Sequence, residues 1–231
     1  MTTLAPTNTT TSTATRPLRV GVLGRHRLQG AYTEHLYMLQ RLGQTMPLEA
    51  RIVKTAAELD PAQIDALIIP GGESTAMALV AERSGCLDAL REFVHKQPTW
   101  GTCAGMILLS TTATQTKQGG QNLLGALDIT VQRNAFGKQT ESFIAPLTID
   151  GIAPADQPFE GIFIRAPIVE VAGPHVQVIG KVDGDHGLQH GERIVAVRQG
   201  HLLGTSFHPE LTKDLRVHAY FVQMVREALG L

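Results

Sequence analysis

Cysteine is scarce in this chain: Cys86 and Cys103 are the only two in 231 residues. Two thiols build no disulfide framework, and with no secretory signal ahead of them they point to a reducing, cytoplasmic setting. Charge of one sign is missing as well. Twenty Lys and Arg stand against 21 Asp and Glu, a formal charge of −1, which removes the electrostatic case for nucleic acid or an anionic membrane as partner. No apolar run is long enough to span a bilayer, and no segment repeats. Met1 to Pro17 has no acidic residue and no apolar period; rich in Thr and Ala, with Arg16 its single cation, it reads as a disordered leader rather than a transit peptide.

What is present is a chain with 43% hydrophobic residues, enough to bury one sizeable core, and residues 18–231 are expected to form a single domain. Apolar runs at Leu18–Leu23, Arg51–Lys54, Ala66–Ile69 and Pro98–Gly101 predict strands, and Glu34–Leu42 and Ser84–Lys96 predict helices between them. That alternation predicts an α/β fold with a mostly parallel sheet covered on both faces. Strand-like segments then follow one another at 128–133, 143–149, 161–166, 176–182, 193–199 and 202–207, which predicts an antiparallel extension. Val217, Tyr220, Phe221, Met224, Val225 and Ala228 fall at helical spacing, so the chain ends in an amphipathic helix packed on the sheet.

Three strand ends carry chemistry. Gly101-Thr-Cys-Ala-Gly105 places Cys103 where a strand turns sharply into a helix, a position that projects a side chain beyond the sheet beside unpaired backbone N–H groups. A thiol so placed ionises readily and suits a nucleophile. Alone, the motif equally describes a small buried residue at a strand–helix junction. Ser206-Phe-His-Pro-Glu210 follows another strand; in an extended segment Glu210 reaches back to orient His208, and Pro209 is expected to enforce that extension. Pro70-Gly-Gly-Glu-Ser-Thr75 follows a third, and its bare glycine amides suit a developing oxyanion. Nucleophile, base with orienting acid, and backbone donor are the parts of an acyl-transfer site.

Taken with Leu28-Gln-Gly-Ala31, Gln132-Arg-Asn-Ala-Phe-Gly137 and Phe163-Ile-Arg-Ala-Pro167, these stretches resemble the glutaminase subunits of pyridoxal 5′-phosphate synthase, the PdxT/SNO family of class I triad glutamine amidotransferases. The resemblance runs from Leu18 to the C-terminus. It implies a three-layer α/β/α flavodoxin-like fold and a Cys103–His208–Glu210 triad, with the backbone amides of Gly72 and Ala104 as oxyanion hole. It implies L-glutamine bound by Gly72, Glu73, Ser74, Arg133, Ile164 and Arg165, with no metal and no cofactor, and ammonia passed to a β/α-barrel synthase subunit in a hetero-oligomeric complex. Free glutamine carries a carboxylate and an ammonium, so cationic Arg133 and Arg165 are chemically apt.

The chain departs from the family after its first strand, where Gly24-Arg-His-Arg27 adds about three residues before Leu28-Gln29. A tolerated surface insertion is the simpler reading; the sharper one has Arg25 and Arg27 touching the synthase and Gln29 displaced. Asp183 to His190 lacks metal-ligand spacing and reads as a solvated hairpin, and Cys86 as packing. The rival readings are a glutaminase serving another synthase, such as imidazole glycerol phosphate synthase, a γ-glutamyl hydrolase acting alone, or a non-catalytic regulatory subunit. The Arg133 and Arg165 segments oppose the first two, and the complete set of Cys, His and Glu opposes the third.

Overall fold

The β3 segment, Ala66–Ile69, is buried along its whole length, and its residues alternate between two hydrophobic cores. Ala66 and Ile68 join one core, Leu67 and Ile69 the other, as the period of two in a strand requires. A strand with two apolar faces needs helices on both sides, and the computed structural model, which describes residues 16–24, 31–115, 120–135, 142–154, 156–183 and 191–231, has them.

On the first face lie α1 (Tyr32–Gly43) and α5 (Arg216–Leu229), which pack Leu39, Leu42, Val217, Phe221 and Val225 against β1 (Leu18–Leu23) and Trp100. On the second lie α2 (Ser74–Arg83), α3 (Leu87–Lys96) and the six-residue α4 (Ala104–Leu109). The expected α/β/α layering therefore holds. The C-terminal helix is where its apolar spacing put it, while the helix expected over Ser84–Lys96 starts three residues later, as α3: α2, which was not expected, ends at Arg83, Gly85 adopts φ +67, and α3 starts after a buried Cys86.

The remaining strands are β2 (Leu48–Val53), β4 (Thr99–Thr102), β5 (Ser110–Thr114), β6 (Leu127–Gln132), β7 (Ser142–Leu147), β8 (Phe159–Ile164), β9 (Ile168–Ala172), β10 (Gln177–Val182), β11 (Arg193–Gln199) and β12 (Leu202–Thr205). Among the described residues ten strands form one sheet in the order β2-β1-β3-β4-β12-β11-β9-β6-β5, with β10 also paired to β11. The β2-β1-β3-β4-β12 half is parallel, whereas β11 is antiparallel to β12, β9 and β10. β7 and β8 form a separate hairpin whose Phe163 packs on Phe207 just past β12.

The parallel half decides where a site can form. β3, β4 and β12 are neighbours in register, with Ile69 beside Gly101 and Thr102 beside Thr205, so their C-terminal ends open at one edge. Of the expected leader, Met1–Thr15 lies outside the described residues; Arg16 is described and pairs with buried Asp65, 2.8 Å away. Burial works against charge on Asp65, but Arg16 and Arg19 hold its carboxyl well below the usual range. Among the described residues no helix is long and apolar enough to cross a membrane.

Candidate active site

Cys103 stands at the end of β4 with φ +48 and ψ −105, outside the regions an L-residue ordinarily adopts. Its N–H donates to the Thr205 carbonyl at 2.7 Å, and its carbonyl accepts from Ile107 N–H, so strand β12 and helix α4 hold the strained turn from both sides. The flanking glycines have a packing reason. A Cβ on Gly101 would sit 2.5 Å from the Gly105 carbonyl group, and one on Gly105 would overlap the Ile69 carbonyl oxygen. Only bare backbone lets α4 press this closely on β3 and β4.

His208 follows β12 by three residues. Its N–H donates to the Ile162 carbonyl of β8 at 2.8 Å, and its ring Nδ1 lies 2.8 Å from Glu210 Oε1. The approach of Glu210 differs from the expectation. His208 is non-helical at φ −109, ψ 82, as a residue before proline must be, but Pro209 opens a 3₁₀ turn over Pro209–Leu211 instead of extending the chain. Glu210 folds back through that turn.

The imidazole also meets Cys103, and burial, which opposes its charge, is outweighed by hydrogen bonding and attraction to Cys103 and Glu210; the His208 pKa is raised to about 10. The ring thus holds its proton at neutral pH. Gly71 lies directly against this pair: a Cβ there would overlap His208 Cε1 and stand 3.5 Å from Cys103 Cβ. The bare position in the Gly-Gly turn therefore makes room for the imidazole first. Gly72, next to it, is exposed.

The Glu73 carboxylate caps α2, accepting from Thr75 N–H at 3.0 Å and Ala76 N–H at 2.7 Å. Burial works against it, yet these amides and Arg133 hold its pKa down. Arg133 follows β6 and reaches Glu73 Oε1 at 3.3 Å and Thr75 Oγ1 at 3.4 Å. The Ala135 N–H donates to the Ala166 carbonyl, which ties the Arg133 turn to the segment holding Ile164 and Arg165. Arg165 is exposed and left-handed at φ +44. Ala104 is buried at the start of α4.

The structure thus brings Cys103, His208, Glu210 and the Gly71-Gly72 turn together, and links Arg133 to Glu73 and to the Arg165 segment. Sequence reasoning missed Gln121, whose Oε1 accepts from Ser74 Oγ at 3.0 Å and Thr75 Oγ1 at 3.2 Å. Nothing in its local sequence marks it. Arg25, Arg27 and Gln29, Phe136 and Gly137, and 184–190 of the expected hairpin lie outside the described residues. Among the described residues no group of His, Cys, Asp and Glu is arranged to hold a metal ion.

Behind Glu210 two further histidines are wholly buried, His35 on α1 and His218 on α5. Burial and the neighbouring rings of His218 and His208 push His35 well below the usual imidazole value, and burial pushes His218 down to about 3. Both are neutral in the fold, so below pH 6.5 the unfolded chain binds protons that the fold refuses. Stability therefore drops as pH falls from about 6.5, by up to ~1.4 kcal/mol per pH unit per histidine. His208 contributes in the opposite sense: its share is complete below pH 6.5 and fades as pH rises through about 10. Urea midpoints should fall between pH 7 and pH 5, and the fall should be shallower for His218→Leu; an unchanged slope would count against the neutral buried pair.

A strained thiol against a charged imidazole, on a doubly covered parallel sheet, has the form of a thiol-dependent acyl-transfer site. Comparison with known proteins narrows the class. The chain belongs to the SNO glutamine amidotransferase family, which it matches over residues 25–227. It is 46% identical to pyridoxal 5′-phosphate synthase subunit PdxT of Bacillus cereus strain G9842, covering 91% of this chain and 96% of that one. It is 42% identical to the probable pyridoxal 5′-phosphate synthase subunit PDX2 of Arabidopsis thaliana, covering 91% and 87%. A crystal structure of a glutamine amidotransferase superposes with a TM-score of 0.74 at 39% identity, covering 89% of this chain and 98% of that one.

Proposed function

We propose that this chain hydrolyses L-glutamine at Cys103 and hands the ammonia to a pyridoxal 5′-phosphate synthase subunit of β/α-barrel form. Membership of a glutamine amidotransferase family supports the reaction, and relatives named as synthase subunits support the destination. The observation that carries the site assignment is the contact of Cys103 with a His208 ring whose other face is fixed by Glu210 at 2.8 Å.

In this mechanism the Cys103 thiolate adds to the side-chain carboxamide carbon of glutamine, and the oxyanion so formed accepts hydrogen bonds from the backbone N–H groups of Gly72 and Ala104. His208, already protonated, gives its proton to the amide nitrogen as the C–N bond breaks and ammonia leaves. The neutral ring then takes a proton from water, whose oxygen attacks the γ-glutamyl thioester; the C–S bond breaks, and glutamate and the thiolate are released. Glu210 holds the ring with Nε2 toward the sulfur throughout. Ser74 and the Glu73 turn line the pocket, and Arg133 and Arg165, with Ile164 beside them, bind the substrate's charged end.

Loss of one charge-assisted contact to the α-carboxylate removes about 1.5–3 kcal/mol of binding. Arg133→Ala and Arg165→Ala should therefore each raise KM for glutamine by about tenfold or more while kcat changes little. A fall in kcat at unchanged KM would move these arginines out of substrate binding. The function itself is tested by following glutamate release, and transfer of amide ¹⁵N into pyridoxal 5′-phosphate, with and without the barrel synthase. Stimulation only by a different synthase would overturn the partner assignment.

A further inference from the structure

The acyl-transfer site uses one oxygen of Glu210. The other, Oε2, is fully buried and has no hydrogen-bond partner among the described residues. A buried carboxylate with one unsatisfied oxygen costs several times what a neutral orphan does, so what faces that oxygen matters. It is the Nε2 of His35, 3.4 Å away, which also stands 3.3 Å from Thr102 Oγ1. On its other side the His35 ring places Nδ1 2.9 Å from His218 Nε2. Both rings meet Trp100 edge-on, at 5.4 and 5.0 Å between centroids, and the indole N–H of Trp100 donates to Thr205 Oγ1 at 3.1 Å. No surface of His35, His218 or Trp100 is exposed.

Both rings are neutral, so each has one N–H, and only one assignment of the two protons suits the surroundings. If His35 carried its proton on Nδ1, its Nε2 lone pair would face the Glu210 carboxylate. His218 would then hold its own proton on Nδ1, an atom with no partner, leaving a donor buried and unpaired. With the protons on His218 Nε2 and His35 Nε2, every N–H points at an acceptor: His218 donates to His35 Nδ1, and His35 donates toward Glu210 Oε2 and Thr102 Oγ1. The single atom left bare is the His218 Nδ1 lone pair, the cheaper vacancy.

We infer that His35 is a positioning residue for the glutaminase reaction: its Nε2–H holds Glu210 from behind so that Oε1 meets His208, and His218 sets the tautomer that makes His35 a donor. The inference rests on the Cys103–His208–Glu210 reading. The chain of groups runs from α5 through α1 to the strand ends, and so gives the site a support built from helices.

The test measures glutamate release, with the synthase partner present, for His35→Leu, His35→Gln and His218→Phe, together with urea unfolding of each. His35→Leu removes the donor and should lower kcat by about 10–100-fold with KM nearly unchanged, the usual size for residues that orient a reacting group from outside it. His35→Gln returns an N–H at the reach of Nε2 and should recover most of that loss. His218→Phe keeps an aromatic ring, frees the His35 tautomer and should lower kcat several-fold. The low-field proton resonance of His208 Nδ1–H should shift or broaden in His35→Leu, a change that packing alone does not cause. A folded His35→Leu with kcat within twofold of the unaltered chain would overturn the inference. So would equal losses in the Leu and Gln variants that track lost stability, and if His35→Leu does not fold, full activity in His35→Gln and His218→Phe together. Turnover surviving in Glu210→Gln would sink the triad reading instead, and is scored separately.

Discussion

Cys103→Ala should reduce glutamate release by at least about 10⁴-fold while leaving the fold intact. The side chain is small and buried, its positive φ is shared by alanine at similar cost, and the two backbone hydrogen bonds that pin the turn do not involve the sulfur. What is lost is the bond-forming atom. In the proposed mechanism the backbone amides and arginines that remain still bind glutamine but have no acyl acceptor to serve, and in hydrolases that act through a nucleophile nearly all turnover disappears with it. Glutamine binding measured by calorimetry should persist. A second consequence follows from the raised pKa of His208, which the sulfur helps to raise: without it the imidazole should titrate lower, visible in its proton resonances. Residual activity above a hundredth of the unaltered chain would remove Cys103 from the chemistry.

Gly105→Ala should be the most damaging glycine-to-alanine change among the described residues. Helix propensity alone predicts the reverse, since replacing a helical glycine by alanine stabilises by about 1 kcal/mol. Here the added methyl would overlap the Ile69 carbonyl oxygen, a backbone atom at the end of β3 that cannot turn aside. Relief requires α4 to lift from the sheet, taking Cys103 with it. Expected losses are at least about 4 kcal/mol, or a melting temperature lower by roughly 10 °C, with little active protein recovered. Gly85→Ala is the contrast: φ is +67 but nothing lies within 4 Å, so only backbone strain of about 1 kcal/mol is paid. Comparable stability for the two variants would mean that the close approach does not exist.

These two residues show which parts of the molecule were legible in the sequence. The Gly-x-Cys-x-Gly pattern announces a sharp turn because glycine and cysteine do unusual things locally, and the layered α/β order follows from apolar runs. Legibility failed where the decisive contact lies far along the chain. Helix α2 was missed because Gly71-Gly72 draws attention to the turn, while its cap, the Glu73 carboxylate, is a residue type that usually signals solvent. β5, with sequence Ser-Thr-Thr-Ala-Thr, has no alternation to read, and becomes a strand only by pairing with β6. Pro209 fixes the conformation of His208, yet it begins a helical turn as readily as an extended one. His35 and His218, 183 residues apart, meet through α1 and α5. Their signal was weak but present: His35 shares a buried stripe with Met38, Leu39 and Leu42, and a polar group on such a stripe needs a partner.

The pairing of β4 with β12 has a consequence for synthesis of the chain. Sulfur and imidazole sit at the ends of strands that adjoin in the sheet but arise at residues 99–102 and 202–205. Until β12 is made, a nascent chain carries the thiol with one flank of its strand unpaired, no Thr205 carbonyl to hold the turn, and no His208. On the proposed assignment of Cys103 and His208, a product truncated before β12 cannot liberate ammonia, and glutamine is consumed only by molecules whose sheet has closed.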